Sequence, residues 1–108
     1  MLVLFDQGTP VAIADVLLGH EIKTAKQMGW DTHNNGELLR RAEETGFDIF
    51  LTTDKNLAYQ QNLAGRRIAI VVLGRNRWSI LKAVLPQIVG AVNGAARGSY
   101  VIVDVPDA

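Results

Sequence analysis

The sequence predicts an α/β protein, a three-layer α/β/α sandwich around a mostly parallel sheet of about five strands. Three observations carry that expectation. Short apolar runs recur along the chain: "MLVLF" at residues 1–5, "IFL" at 49–51 and "RIAIVVL" at 67–73. Runs without polar alternation belong to strands covered on both faces, as parallel strands are. Stretches with helical spacing separate them, so strand and helix alternate in the manner of right-handed crossovers. No linker, low-complexity segment or internal repeat interrupts the pattern, and residues 1–108 read as a single domain.

The elements follow in order. Met1–Phe5 is the first strand. "DQGTP" then turns the chain, with Thr9 in a capping position and Pro10 at the first helical position. Val11–Leu18 reads as a helix that Gly19 ends. Glu21–Ala25 is a short strand whose charged residues place it near a sheet edge. "AKQMGWDTHNNG" is a helical turn followed by a loop. Glu37–Thr45 is a second helix, with Leu38, Leu39 and Ala42 on its apolar side, stopped by Gly46. Asp48–Thr52 is the third strand, and residues 55–63 read as a helix. Arg67–Leu73 is the fourth strand. Ser79 is the expected cap of a long helix reaching to about residue 95, kinked at Pro86. Ile80, Leu81, Val84, Leu85, Ile88, Val89 and Val92 form its core face. Tyr100–Val105 closes the sheet, for an order β-α-β-α-α-β-α-β-α-β.

Composition narrows the function. Eleven basic and eleven acidic residues give a formal net charge of zero, which excludes a strongly basic nucleic-acid coat but leaves room for a local basic patch. With no cysteine there is no disulfide framework, thiolate metal site or cysteine nucleophile, which fits a reducing cytosol. The first ten residues, "MLVLFDQGTP", lack the basic start of a signal peptide, and every apolar run is too short to span a bilayer. A cytoplasmic protein without a membrane partner is expected. There is no G-x-G-x-x-G, no Walker A sequence and no nucleophile elbow around Ser79 or Ser99. His20 and His33 have no partner at metal-ligand spacing. His20 suits a turn hydrogen bond, and His33 lies in the loop leading to Glu37.

The acids at the strand ends are the chemical signal. Asp6 follows the first strand, Asp54 follows the third, and Glu37 opens the helix leading into the third. A parallel sheet puts all three at its carboxyl edge, where such folds bind ligands. Converging carboxylates repel unless a cation sits among them. Hard oxygen ligands suit Mg²⁺ or Mn²⁺, which activate water and stabilise the leaving oxygen of a phosphodiester. Thr52, Thr53 and Asn56 are positioned to orient carboxylates or waters. Each acid also has a simpler reading: an Asx-turn at Asp6, a helix cap at Asp54, and a capping box from Asn34 to Glu37. Arg75 and Arg77, in "GRNRW", follow "RIAIVVL" on the acid side. They could hold RNA phosphates, with Trp78 or Trp30 stacking on a base. The alternative is a solvated charged loop with tryptophans packed on the core.

"LFDQGTP" at 4–10, "GHEIKTAKQMGW" at 19–30, "NGELL" at 35–39 and "LTTDKNL" at 51–57 together resemble the PIN-like domain family, over Met1 to about Leu73. The resemblance implies a PIN-like sandwich and a Mg²⁺- or Mn²⁺-dependent ribonuclease, often the toxin of a toxin–antitoxin pair. It implies that Asp6, Asp54 and Glu37 are the catalytic, metal-binding acids. Many relatives carry a second acid two residues after the one matched by Asp54. This chain has Asn56 there, which keeps an oxygen ligand and loses a charge, and Gln7 stands where others carry Glu.

The leading expectation is therefore an RNA phosphodiester hydrolase, with RNA and an antitoxin protein as partners. The alternative is a catalytically weak or inactive PIN-like domain that binds RNA or protein. A receiver-style phosphoryl pocket ranks last, because no lysine follows "RIAIVVL". "VAIADVLL" at 11–18 is apolar nearly all round and offers a surface for a homodimer.

Overall fold

A computed structural model of the chain describes residues 1–57 and 63–105. Five strands form one sheet: β1 (Leu2–Phe5), β2 (Glu21–Thr24), β3 (Ile49–Thr52), β4 (Ala69–Val72) and β5 (Tyr100–Ile102). Their spatial order is β2-β1-β3-β4-β5, and every neighbouring pair is parallel. β3 and β4 are buried throughout, as their uninterrupted apolar sequences require. The charged β2 is an edge, as expected.

Each sheet face has its own core. On one face lies helix α1 (Asn35–Thr45), whose Leu38, Leu39 and Ala42 pack with Leu4, Phe50, Ile70 and Val72. On the other lie a 3₁₀ helix (Val11–Val16), helix α2 (Trp78–Leu81) and helix α3 (Leu85–Asn93). Their Ile13, Leu81, Ile88 and Val92 meet Val3, Phe5, Leu51 and Val71. Successive strand residues thus serve opposite layers, giving the three-layer α/β/α arrangement.

Several elements differ from the sequence expectation. Val11–Val16 is 3₁₀, not α. Pro10 occupies the cap position with extended backbone, and i→i+3 bonds run from Ile13 N to the Pro10 carbonyl and from Leu17 N to that of Ala14. Three β-branched residues in six lower helix propensity there, so packing of Ile13 and Leu17 decides the local form. Thr9 does not cap this segment; its hydroxyl is used elsewhere. α1 begins at Asn35, because Asn34 caps it by accepting the Glu37 backbone N–H at 2.9 Å. The long C-terminal helix is two helices joined by a 3₁₀ turn (Lys82–Val84). Ser79 lies within α2 and Arg77 holds the cap position. Pro86 does not kink a continuous helix. It stands in the first turn of α3, where a missing N–H costs no hydrogen bond. The helix expected over 55–63 falls largely outside the described residues. Among the described residues, no helix is long and apolar enough to cross a membrane.

Candidate functional site

The strand order sets where a ligand would go. From β1 the chain moves outward to β2; from β3 it moves the opposite way, to β4 and β5. The loops leaving β1 and β3 therefore diverge, and a crevice opens between them at the carboxyl edge. Phe5 is in register with Leu51, so Asp6 and Thr52 come next, side by side. A cleft of about 570 Å³ lies there, lined by Asp6, Gln7 and Gly8 after β1, by Thr53 and Asp54 after β3, and by residues 33–36 at the start of α1.

Asp6 is buried, with 5% of its surface exposed. Its backbone N–H donates to the Leu51 carbonyl at 3.2 Å, which extends the β1–β3 ladder by one residue. The Thr9 hydroxyl reaches Asp6 Oδ1 at 2.5 Å and the Leu51 carbonyl at 3.2 Å, and Thr52 donates to Asp6 Oδ2. Burial of such a carboxylate is tolerated because both oxygens are hydrogen-bonded. Thr52 Oγ1 also accepts the Asp54 backbone N–H at 3.0 Å. One hydroxyl thus ties the Asp6 side chain to the Asp54 main chain.

Asp54 is fixed in turn. Its Oδ1 accepts the Asn56 backbone N–H at 3.0 Å, an Asx-turn. Its Oδ2 accepts Asn35 Nδ2 at 3.0 Å, a bond that reaches across the cleft to α1. Thr53 stands against Gly8: a Cβ at Gly8 would lie 2.6 Å from Thr53 Oγ1 and 3.9 Å from Asp6 Oδ1. The loop after β1 approaches the loop after β3 this closely only because residue 8 has no side chain.

The donor set fits a hard divalent cation. Each of the four carboxylate oxygens of Asp6 and Asp54 receives one of these bonds, which orients it while leaving acceptor capacity. Among the described residues neither acid has a salt bridge, so no protein cation is paired with either carboxylate lining the cleft. Mg²⁺ and Mn²⁺ are commonly held by one or two carboxylates with waters and phosphate oxygens. Among the described residues no group of three or more His, Cys, Asp or Glu side chains is placed to hold a metal.

The third expected acid does not join the cleft. Glu37 Oε1 and Oε2 take the guanidinium of Arg40, and Oε1 also takes Arg41 Nε at 3.1 Å. Those arginines, Arg40 first, hold its carboxyl below the usual glutamate range. They sit three and four residues on, so the helix repeat holds the Glu37 carboxylate along α1, and Glu37 is not among the residues lining the cleft. Asn56 is exposed and contributes its main chain to Asp54. Arg75 and Arg77 follow β4 at the same sheet edge, outside the residues lining the cleft. Trp78 is partly exposed, whereas Trp30 packs edge-on against Phe47 with ring centroids 6.2 Å apart. His20 Nε2 lies 2.7 Å from Asn93 Oδ1, a link between the β2 entrance and α3.

Gln7, Gly8, His33, Asn35 and Gly36 also line the cleft, and of these Gly8, Asn35 and Gly36 carry no signal of a site in the sequence. The turn "DQG" and the run "HNNG" were their signals, visible as loop chemistry only. Compared with protein-family models, with curated proteins and with solved structures, the chain finds no match in any of the three.

Proposed function

We propose that this chain is a Mg²⁺- or Mn²⁺-dependent ribonuclease of the PIN-like type, acting in the cytoplasm as the toxin partner of an antitoxin protein. The observation that supports it best is the pair Asp6 and Asp54, joined through Thr52 at the β1/β3 switch point and, among the described residues, in no salt bridge. Asp6 and Asp54 would hold the ion. A divalent ion bound there supplies an activated water and takes up charge on the phosphodiester. Thr9 and Thr52 hold the Asp6 carboxylate, and Asn35 with the Asn56 N–H holds that of Asp54. Arg75 and Arg77 act beyond the cleft as contacts for neighbouring RNA phosphates.

The test is a calorimetric Mn²⁺ titration of wild type and of Asp6→Asn/Asp54→Asn, followed by cleavage assays on RNA. Saturable binding that disappears in the double variant, with cleavage that disappears alongside it, is expected. A wild type that binds no Mn²⁺ overturns the reading.

One observation favours a second reading, an RNA- or protein-binding module without catalysis. Glu37 is committed to Arg40 and Arg41 and position 56 is uncharged, so among the described residues the cleft is lined by two carboxylates and no third. RNA binding that needs no divalent ion and leaves the RNA intact would establish it.

A further inference from the structure

We propose that the cavity at the opposite, amino edge of the sheet is a binding site for a small phosphate monoester, with Arg67 and Arg97 holding the phosphate. The cavity measures about 360 Å³, within the range of small-ligand sites and too small for a folded partner. Glu43, Phe47, Asp48, Arg67, Ala96 and Arg97 are among its lining residues. It shares no residue with the carboxylate cleft and is independent of the function proposed for that cleft.

The fold builds the arginine pair from two distant segments. Arg67 precedes β4, and Arg97 lies in the turn between α3 and β5. The Gly98 N–H donates to the Arg67 carbonyl at 2.9 Å and locks the two segments together. Gly98 has φ +76°, and a Cβ there would stand 3.0 Å from the Arg66 carbonyl, so only glycine gives this approach without strain. The Ala96 N–H is taken by Ser99 Oγ at 3.2 Å, which steadies the same turn.

Charge accounting points to an anion. Glu43 is already committed: its Oε2 accepts the backbone N–H of Arg67 at 2.8 Å and of Ile68 at 3.3 Å, and its Oε1 pairs with Arg66 at 3.5 Å. Asp48 Oδ2 accepts the Leu2 N–H at 2.8 Å. The guanidinium groups of Arg67 and Arg97 carry no ion pair among the described residues. Arg66 Nε is buried with no hydrogen-bond partner among them, a further unmet donor at this edge. Arg67 and Arg97 line the cavity with Glu43 and Asp48, and Arg66 beside them pairs with Glu43, so three guanidinium groups stand against two carboxylates whose oxygens already accept backbone N–H groups. Arginine forks match phosphate oxygens two at a time. Phe47, Ile68 and Ala69 supply an apolar floor for the ligand's carbon body, which inorganic phosphate could not use.

The experiment titrates the full chain with phenyl phosphate and with inorganic phosphate, read by calorimetry and by amide NMR shifts. Wild type, Arg67→Gln/Arg97→Gln, each single variant and Asp6→Asn/Asp54→Asn are compared. Phenyl phosphate should bind once, shift the Ile68, Ala96 and Gly98 amides, and bind more tightly than inorganic phosphate. Affinity should fall about tenfold or more in the arginine double variant, and stay unchanged in the aspartate variant. Both arginines are exposed, so the single variants should fold and should each weaken binding if the double variant does not fold. No saturable binding, equal binding without the arginines, or loss of binding in the aspartate variant would each overturn the proposal.

Discussion

Thr52 Oγ1 donates to Asp6 Oδ2 and accepts the Asp54 backbone N–H at 3.0 Å, so a single hydroxyl sets the spacing of the two cleft acids. Thr52→Val keeps the shape and removes both bonds. It leaves a buried carboxylate oxygen short of a donor and should cost about 1–3 kcal/mol in urea denaturation. Mn²⁺ affinity should fall with it. Thr52→Ser should restore most of both, because the hydroxyl and not the methyl makes the link.

Gly8→Ala tests the close approach of the two loops. The new Cβ would meet Thr53 Oγ1 at 2.6 Å. Overpacking of this kind costs about 1–3 kcal/mol. Gly8→Ala/Thr53→Ala should recover most of that loss, and a double-mutant cycle measures the coupling. Simple additivity would show that the contact is not the cause.

Asp54→Asn separates structure from metal binding. Asparagine supports the Asx-turn nearly as well as aspartate, and Asn35 can turn its own amide to match. Stability should stay within about 0.5 kcal/mol of wild type. Mn²⁺ affinity should drop about tenfold or more, because a hard-ion site depends on its count of charged ligands.

Glu37→Gln should leave Mn²⁺ affinity within about a factor of two, since an exposed acid already paired to arginines contributes little at a distance. A loss as large as that of Asp54→Asn would mean that Glu37 turns into the cleft when the ion binds.

Glu43 predicts a pH dependence. Burial pushes its carboxyl up, but the Arg67 and Ile68 backbone N–H groups and the charges of Arg66 and Arg67 outweigh that and hold it below the usual glutamate value of 4.5. A lowered folded pKa stabilises above the unfolded value and is lost as pH falls through the folded one. Glu43→Gln should therefore be less stable than wild type by about 1–3 kcal/mol near neutral pH. The gap should close on acidification below about pH 4.5. Chemical denaturation across pH checks it, and a constant gap would remove the carboxylate from the explanation.

The parallel sheet was legible because apolar runs and crossover spacing follow from burial on two faces, a local demand on each segment. Asp6 and Asp54 were legible for the same reason: each ends such a run. Pro86 and Val11–Val16 were misread because a proline fits a helix start as well as a kink, and because three β-branched residues in six weaken an α-helix and leave packing to set the local form. For Glu37 the sequence shows its position on the helix but not that Arg40 and Arg41 take up its carboxylate.

The order of residues along the chain is enough to locate the strands and the acids at their ends, since both depend on neighbours in sequence. That the chain reverses direction across the sheet between β1 and β3 is visible only in the folded molecule. That reversal brings Asp6, Gly8, Asn35 and Asp54 around one cleft, and the pairing of β4 with β5 brings the segments of Arg67 and Arg97 to the other. Strand order is set by the joint packing of all layers, which no single segment encodes.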